Sequence, residues 1–191
     1  MHGEDGSDHS HNPELMPWPI FIKVRREVKI HSSLQHPNIV RLRKCFEDEE
    51  NVYMVLELCP NCSLHDLVRH RRRLTEPEAR FFMVQIIGAT RYIHSLQILH
   101  RDLKLGNFFL DANMNVKVGD FGFSTDLATP EKLRKVCGTP NYMAPELVLS
   151  LKGGEGYYTF EIDIWAIGVV LHTMVVGRPP FHHRKLEGVY Q

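Results

Sequence analysis

The side chains best suited to chemistry lie between residues 100 and 146. His100-Arg101-Asp102-Leu103-Lys104-Leu105-Gly106-Asn107 places a carboxylate, an ammonium and an amide on one short stretch. Asp120-Phe121-Gly122 follows 18 residues after Asp102, and Ala144-Pro145-Glu146 begins 24 residues after Asp120. Carboxylate and amide oxygens are the ligands that hard divalent cations take. Asn107 lies five residues from Asp102, so a single loop can present both. Taken singly, each residue has an ordinary reading, because Asp and Asn favour loops. One such tripeptide is weak evidence. Three in this order, at loop-sized spacings and with a strand pair between the first two, are a strong signal.

Short elements must hold these loops. Ile98-Leu99, Phe108 to Leu110 and Val116 to Val118 read as strands, the last two joined by the turn Asp111-Ala112-Asn113-Met114-Asn115. Thr75-x-x-Glu78 is a capping box with Pro77 in the first turn. Behind it, Ala79, Phe82, Met83, Ile86, Ala89, Ile93 and Leu96 form one apolar helical face. Ile164 to Gly177, interrupted by His172 and Thr173, is short for a membrane span and reads as a buried core helix, with Trp165, Val169, Val170 and Met174 at helical spacing. Upstream, Val24, Val28, Ile30 and Leu34 suit a short helix ending near His36-Pro37-Asn38. Ile39 to Phe46 predicts a strand, then an acidic turn, then a strand through Val52, Met54, Leu56 and Leu58. Strands followed by helices argue for an α+β domain.

The three motifs together resemble the protein-kinase signature set. Phosphoryl transfer demands in-line positioning and neutralised charge more than covalent participation. The resemblance implies that Asp102 orients the substrate hydroxyl and accepts its proton, that Lys104 steadies the transferring phosphate, and that Asn107 and Asp120 supply oxygens to Mg²⁺. Lys104 together with Gly138-Thr139-Pro140 resembles the serine/threonine class, and Thr139 is expected to hydrogen-bond toward Asp102 and Lys104. Glu57-Leu58-Cys59 resembles the hinge that meets adenine through backbone groups, with Leu56 as gatekeeper and Phe109 as the floor of the site. Asp163 is expected to brace the catalytic loop, with a helix N-cap as the plainer alternative.

Leu74 to Arg80, His100 to Asn107, Gly119 before Asp120, Cys137 to Tyr142 and Gly177-Arg178-Pro179-Pro180-Phe181 together look like a polo-like kinase, in register over about residues 23 to 191. The chain departs from that pattern in places. Gly3 and Gly6, the only glycines before residue 88, do not form a glycine-rich phosphate loop. Glu27 matches the glutamate that pairs with a strand lysine, but Lys23, the sole lysine before it, is expected on the same helix. The arginine that would pair with Glu146 lies beyond Gln191. Lys135 stands where the family carries its activating threonine, so either Thr129 or Thr125 serves instead or this chain is not activated that way.

Composition bounds the rest. The 191 residues carry 43% apolar side chains, 23 Lys and Arg and 23 Asp and Glu, so neither a disordered chain nor a polyanion-binding surface is advertised. Residues 1–22 hold Glu4, Asp5, Asp8 and Glu14 and no cation, which leaves 23 cations against 19 acids, a net +4, in the remainder. Cys45, Cys59, Cys62 and Cys137 are too few for a disulfide scaffold and point to a reducing compartment. Cys59-x-x-Cys62 near His65 and His70 could hold a metal, but no second pair with ligand spacing follows. Arg69-His70-Arg71-Arg72-Arg73 reads as a solvated connector.

These readings combine into expectations. The fold is α+β, a kinase-like two-lobed architecture with an incomplete small lobe on a mainly helical large lobe. Residues 1–22 form a divergent, disordered leader, 23–59 a partial small lobe and hinge, and 60–191 a large lobe truncated at its end. The expected activity is transfer of the ATP γ-phosphate to Ser or Thr of protein substrates in mitotic control, with ATP and Mg²⁺ as cofactors. Glu27, Leu56, Glu57, Cys59, Phe109 and Asp120 would meet the nucleotide. The chain would act as a monomer inside the cell, in cytoplasm or nucleus and at spindle poles by resemblance, without nucleic-acid or membrane partners. The alternative is an impaired fragment or pseudokinase that acts by binding or not at all.

Overall fold

The computed structural model describes residues 18–48, 51–128, 136–151 and 158–181. Thr129, Lys135 and the leader up to residue 17 lie outside the described residues. Helix α1 spans Trp18–Ser32, so it begins inside the stretch expected to be a leader. It buries Ile30 and His31, with Leu34 just beyond its end.

The strand expected over Ile39 to Phe46 divides in two. Ile39 and Val40 are buried and join the large lobe: Val40 N donates to the Val118 carbonyl and Val118 N to the Asn38 carbonyl, both at 2.8 Å. Strand β1 then starts at Leu42 and runs to Glu47, antiparallel to β2, Val52–Leu56. The polar residues Arg41 and Arg43 mark the change from buried to open chain. Phe46 and Tyr53 stack on this two-stranded ribbon with centroids 5.0 Å apart, and both remain exposed, as do Val55 and Leu56.

Helix α2, Leu64–Arg71, is capped by Ser63 and Asp66, a reciprocal pair of the capping-box kind. The basic run therefore supplies the last turn of a helix, where cations oppose the negative end of its dipole. Arg71 also pairs with Glu78 of α3, Glu76–Ser95. Glu78 Oε2 accepts from both the backbone amide and the hydroxyl of Thr75, at 2.8 and 2.7 Å. These bonds push its carboxyl down to about 2. The predicted apolar face is buried through Ile93, but Leu96 is 43% exposed. The helix stops at Ser95, so Leu96 leaves the stripe its spacing implied.

Strands β3, Ile98–Leu99, and β6, Thr125–Asp126, form one antiparallel pair, and β4, Phe108–Leu110, and β5, Val116–Val118, form another. Helix α4 covers Pro145–Leu151 and α5 covers Glu161–Val176. Helix α5 packs on α3, and both bury their facing sides in the core with β4 and β5. It is not buried all round: Ile164, Leu171 and Val176 are exposed. Gly177 ends it at φ 88°, a left-handed turn suited to glycine. A Cβ there would lie 2.2 Å from the Arg72 carbonyl oxygen, so this glycine also permits the α2–α3 connection to cross close by.

Candidate active site

The β3–β6 pair delivers the chain into the 100–107 loop, and a 3-10 turn over Leu105–Asn107 leads it out into β4. Asp102 is buried at the centre. Its Oδ1 accepts from Thr139 Oγ1 at 2.7 Å, and its Oδ2 accepts from Lys104 Nζ at 2.6 Å. Lys104 Nζ also donates to Thr139 Oγ1 at 3.0 Å. Asn107 Nδ2 donates to the Asp102 carbonyl at 2.9 Å and to Oδ2 at 3.3 Å. Asp102, Lys104, Asn107 and Thr139, four of the five residues expected in catalysis, are thus one hydrogen-bonded group; the fifth, Asp120, accepts instead from Gly122 N.

Asp163 braces this loop and is not the helix N-cap, which is Phe160. Its Oδ1 accepts from Arg101 N, and its Oδ2 from His100 N and His94 Nε2, each at 2.9 Å. His94 was not legible as part of the site, because a histidine in the last turn of a helix already has a dipole-based explanation.

Asp120 is exposed, in a left-handed conformation at φ 60°, and accepts from Gly122 N at 3.3 Å. Phe121 behind it is fully buried between two histidine rings, His31 at 4.8 Å and His100 at 5.0 Å between centroids. Sequence reasoning did not find His31, whose type is rare in a core. His31 Nε2 donates to the Val40 carbonyl at 2.6 Å, and His100 Nε2 to the Gly119 carbonyl at 3.1 Å. Burial pushes both rings below their ordinary pKa. For His100 the geometry agrees, since its Nδ1 accepts from Asp102 N at 3.3 Å and must keep a lone pair.

Glu27 of α1 reaches the same corner. A Cβ on Gly122 would lie 3.2 Å from Glu27 Oε2 and 3.3 Å from Asp120 Oδ1. Burial, and next the Asp120 charge, raise the Glu27 carboxyl above the usual range. Lys23 sits over the Phe123 ring, 4.6 Å from its centroid, on the same helix as Glu27, as its spacing required.

At the expected hinge, Glu57 N donates to the Arg41 carbonyl at 2.9 Å. Its side chain turns toward β5 and β1: Oε1 meets Lys117 Nζ at 2.6 Å and Oε2 accepts from Arg41 N at 3.1 Å. Burial acts to raise this carboxyl, but the lysine and amide bonds outweigh it and hold it low. Lys117 belongs to β5, the strand that leads to Gly119 and Asp120. Cys59 is half-buried, and burial followed by the Glu57 charge pushes its thiol up. Leu56 is 42% exposed at the end of β2. Phe109 packs on the backbone of Gly119, where a Cβ would meet its Cε2 at 2.8 Å.

Thr125, one of the two threonines considered for activation, is buried in β6 opposite Leu99, and its hydroxyl has no hydrogen-bond partner among the described residues. It is closed to a modifying enzyme in this conformation.

The protein kinase domain family matches residues 9–191. The chain belongs to that family. The match starts inside the 1–22 stretch. The kinase domain is similar to the cell cycle serine/threonine-protein kinase CDC5/MSD2 of Saccharomyces cerevisiae, with 50% identity over 170 residues, 88% of this chain and 24% of that protein. It is 50% identical over 168 residues to the serine/threonine-protein kinase plk-2 of Caenorhabditis elegans, covering 88% and 26%. It is 47% identical over 169 residues to the serine/threonine-protein kinase polo of Drosophila melanogaster, covering 88% and 28%. The kinase domain is therefore of the polo-like kind, with the expected α+β kinase fold. It spans about a quarter of the length of these curated relatives.

Proposed function

We propose that this chain is the catalytic part of a polo-like protein serine/threonine kinase, transferring the γ-phosphate of ATP to Ser or Thr of protein substrates in cell-cycle control. The observation that carries this reading is the Asp102 carboxylate, held by Thr139 on one oxygen and Lys104 on the other. A fixed carboxylate beside a fixed ammonium can orient a hydroxyl, take its proton and steady the phosphoryl group.

The donor set fits Mg²⁺. The Asn107 NH₂ is engaged by Asp102, so its carbonyl oxygen is the group available to a cation, and Asp120 is an exposed carboxylate nearby in the fold. When bound, the ion neutralises phosphate charge. Leu56, the Glu57 and Cys59 backbone and Phe109 would hold the adenine, and Glu27 would face the phosphate side. We place the protein inside the cell, as a monomer that meets ATP and protein substrates. No described helix is long and apolar enough to cross a membrane.

The test is phosphate transfer from radiolabelled ATP to casein, with Asp102→Asn as control. Loss of the general base should lower the rate by roughly 10²–10⁴-fold. Activity that survives Asp102→Asn belongs to a contaminant. One observation favours the second reading, a domain that acts by binding: among the described residues Glu27 forms no ion pair, and burial and the Asp120 charge outweigh the pull of Lys23 and Arg26 on its carboxyl. Nucleotide binding without transfer would select that reading.

A further inference from the structure

Helix α1 has a second face, turned away from Glu27. Successive residues turn by about 100°, so Arg25 and Lys29 lie two residues, or about 200°, from Glu27 and face away from the Asp120 corner. There a groove of about 600 Å³ opens between α1 and the β3–β6 pair. Ile30, Leu96 and Ile98 line it with apolar surface, and Arg25, Arg26 and Lys29 line it with cations. Asp126 is the acid among the lining residues, against three cations, and Glu47 pairs with Arg25 at the edge.

Three features mark this groove as unfinished. Leu96 is an exposed leucine at the end of an otherwise buried helical stripe. Thr125, also lining the groove, is 1% exposed and its hydroxyl lacks a hydrogen-bond partner among the described residues, an exception to the rule that buried polar groups are paired. The charges face solvent: Lys29 is exposed, and Arg25 and Glu47, which pair at 3.5 Å, are both more than half exposed. Such exposed pairs contribute little and yield to a better-placed anion.

We propose that this groove docks an acidic peptide segment of a partner protein, anchored by one apolar side chain on Leu96 and Ile98. Carboxylates of the peptide would meet Arg25 and Lys29, and guanidinium forks suit such oxygens. The peptide backbone would run alongside β6. Charge complementarity decides against a basic or neutral apolar partner, which would leave three cations facing apolar or like-charged surface.

The test uses the full chain and a fluorescein-labelled peptide of Asp and Glu around a central Leu, followed by anisotropy at near-physiological salt. Saturable binding is expected. Charge reversal at Arg25→Glu with Lys29→Glu should weaken it at least ~10-fold, about 1.4 kcal/mol. Leu96→Asp should do the same, and so should replacing the peptide's Leu by Asp. Arg69→Glu with Arg73→Glu, in the other basic run, should leave it unchanged. No saturable binding, equal binding by the groove variants, or equal loss in the Arg69 and Arg73 control would overturn the proposal. A second readout needs no variant: the peptide should protect the Lys29 amine from acetylation, read by peptide mass spectrometry, and unchanged labelling would count against docking. Neither readout uses phosphoryl transfer, so the proposal fails or stands apart from the kinase reading.

Discussion

Asp163 holds Arg101 in a backbone conformation that arginine avoids. Arg101 has φ 68°, and its amide donates to Asp163 Oδ1 at 2.9 Å across 62 residues of chain. Non-glycine residues in this region persist where the surroundings over-determine them, at a cost of about 1–3 kcal/mol. Asp163 supplies that constraint from helix α5 and accepts from His100 N as well. Asp163→Ala would leave two buried amides without an acceptor, at about 1–3 kcal/mol each. Against a total stability of about 5–15 kcal/mol, urea unfolding should show a much lower midpoint. A wild-type midpoint in Asp163→Ala would mean that the loop holds its own shape.

Gly119 and Phe109 form the second testable contact. A Cβ on Gly119 would press on the Phe109 ring at 2.8 and 3.1 Å and on Val40 Cγ2 at 3.1 Å. Gly119→Ala should tilt the ring proposed as adenine floor and weaken binding of a fluorescent ATP analogue by roughly tenfold, about 1.4 kcal/mol. Gly119→Ala combined with Phe109→Leu should recover part of the loss, because the smaller side chain clears the new methyl. Undiminished affinity in Gly119→Ala would remove Phe109 from the nucleotide site.

Thr139 separates hydroxyl from shape. Its Oγ1 donates to Asp102 and accepts from Lys104, and hydrogen bonds to charged groups are worth about 1.5–3 kcal/mol. Thr139→Ala should lower kcat by roughly 10–100-fold, while Thr139→Ser retains most of it. Equal loss in both variants would point to packing by the methyl group instead.

Much of this was legible in the sequence, for identifiable reasons. The capped start of α3 and the β4–β5 hairpin are set by local rules, a side chain that caps its own helix and a turn that closes its own hairpin, whereas the Asp102 group was legible through the family resemblance, since Thr139 joins it from 37 residues away. What was not legible depends on partners distant in the chain. The break between Val40 and Leu42 depends on Val118 of β5, 78 residues beyond Val40. Leu96 fits the α3 stripe until the helix ends one residue early. Thr125 reads as an accessible loop hydroxyl until Leu99 pairs with it. Glu57 is read only as part of a hinge acting through its backbone, and the pairing of its carboxylate with Lys117 of β5, 60 residues on, gives no local signal.

Phe121 sits between His31 and His100, and that arrangement makes stability depend on pH. Both rings have folded pKa values below the ordinary value of about 6.5, chiefly through burial. As pH falls through about 6.5, the unfolded chain takes up protons that the folded chain refuses, so stability falls. Glu27 works in the opposite direction at lower pH. Its folded carboxyl pKa is raised, so it takes up a proton before its unfolded counterpart does and offsets part of the loss. The urea midpoint should therefore drop between about pH 7.5 and about pH 5.5, above most of the carboxylate range. His31→Leu keeps an apolar side chain against Phe121 but forfeits the bond to the Val40 carbonyl. It should be less stable at neutral pH and also lose less between the two pH values, because the proton that His31 refuses is gone. An unchanged slope in His31→Leu would show that His31 titrates alike in the folded and unfolded chain.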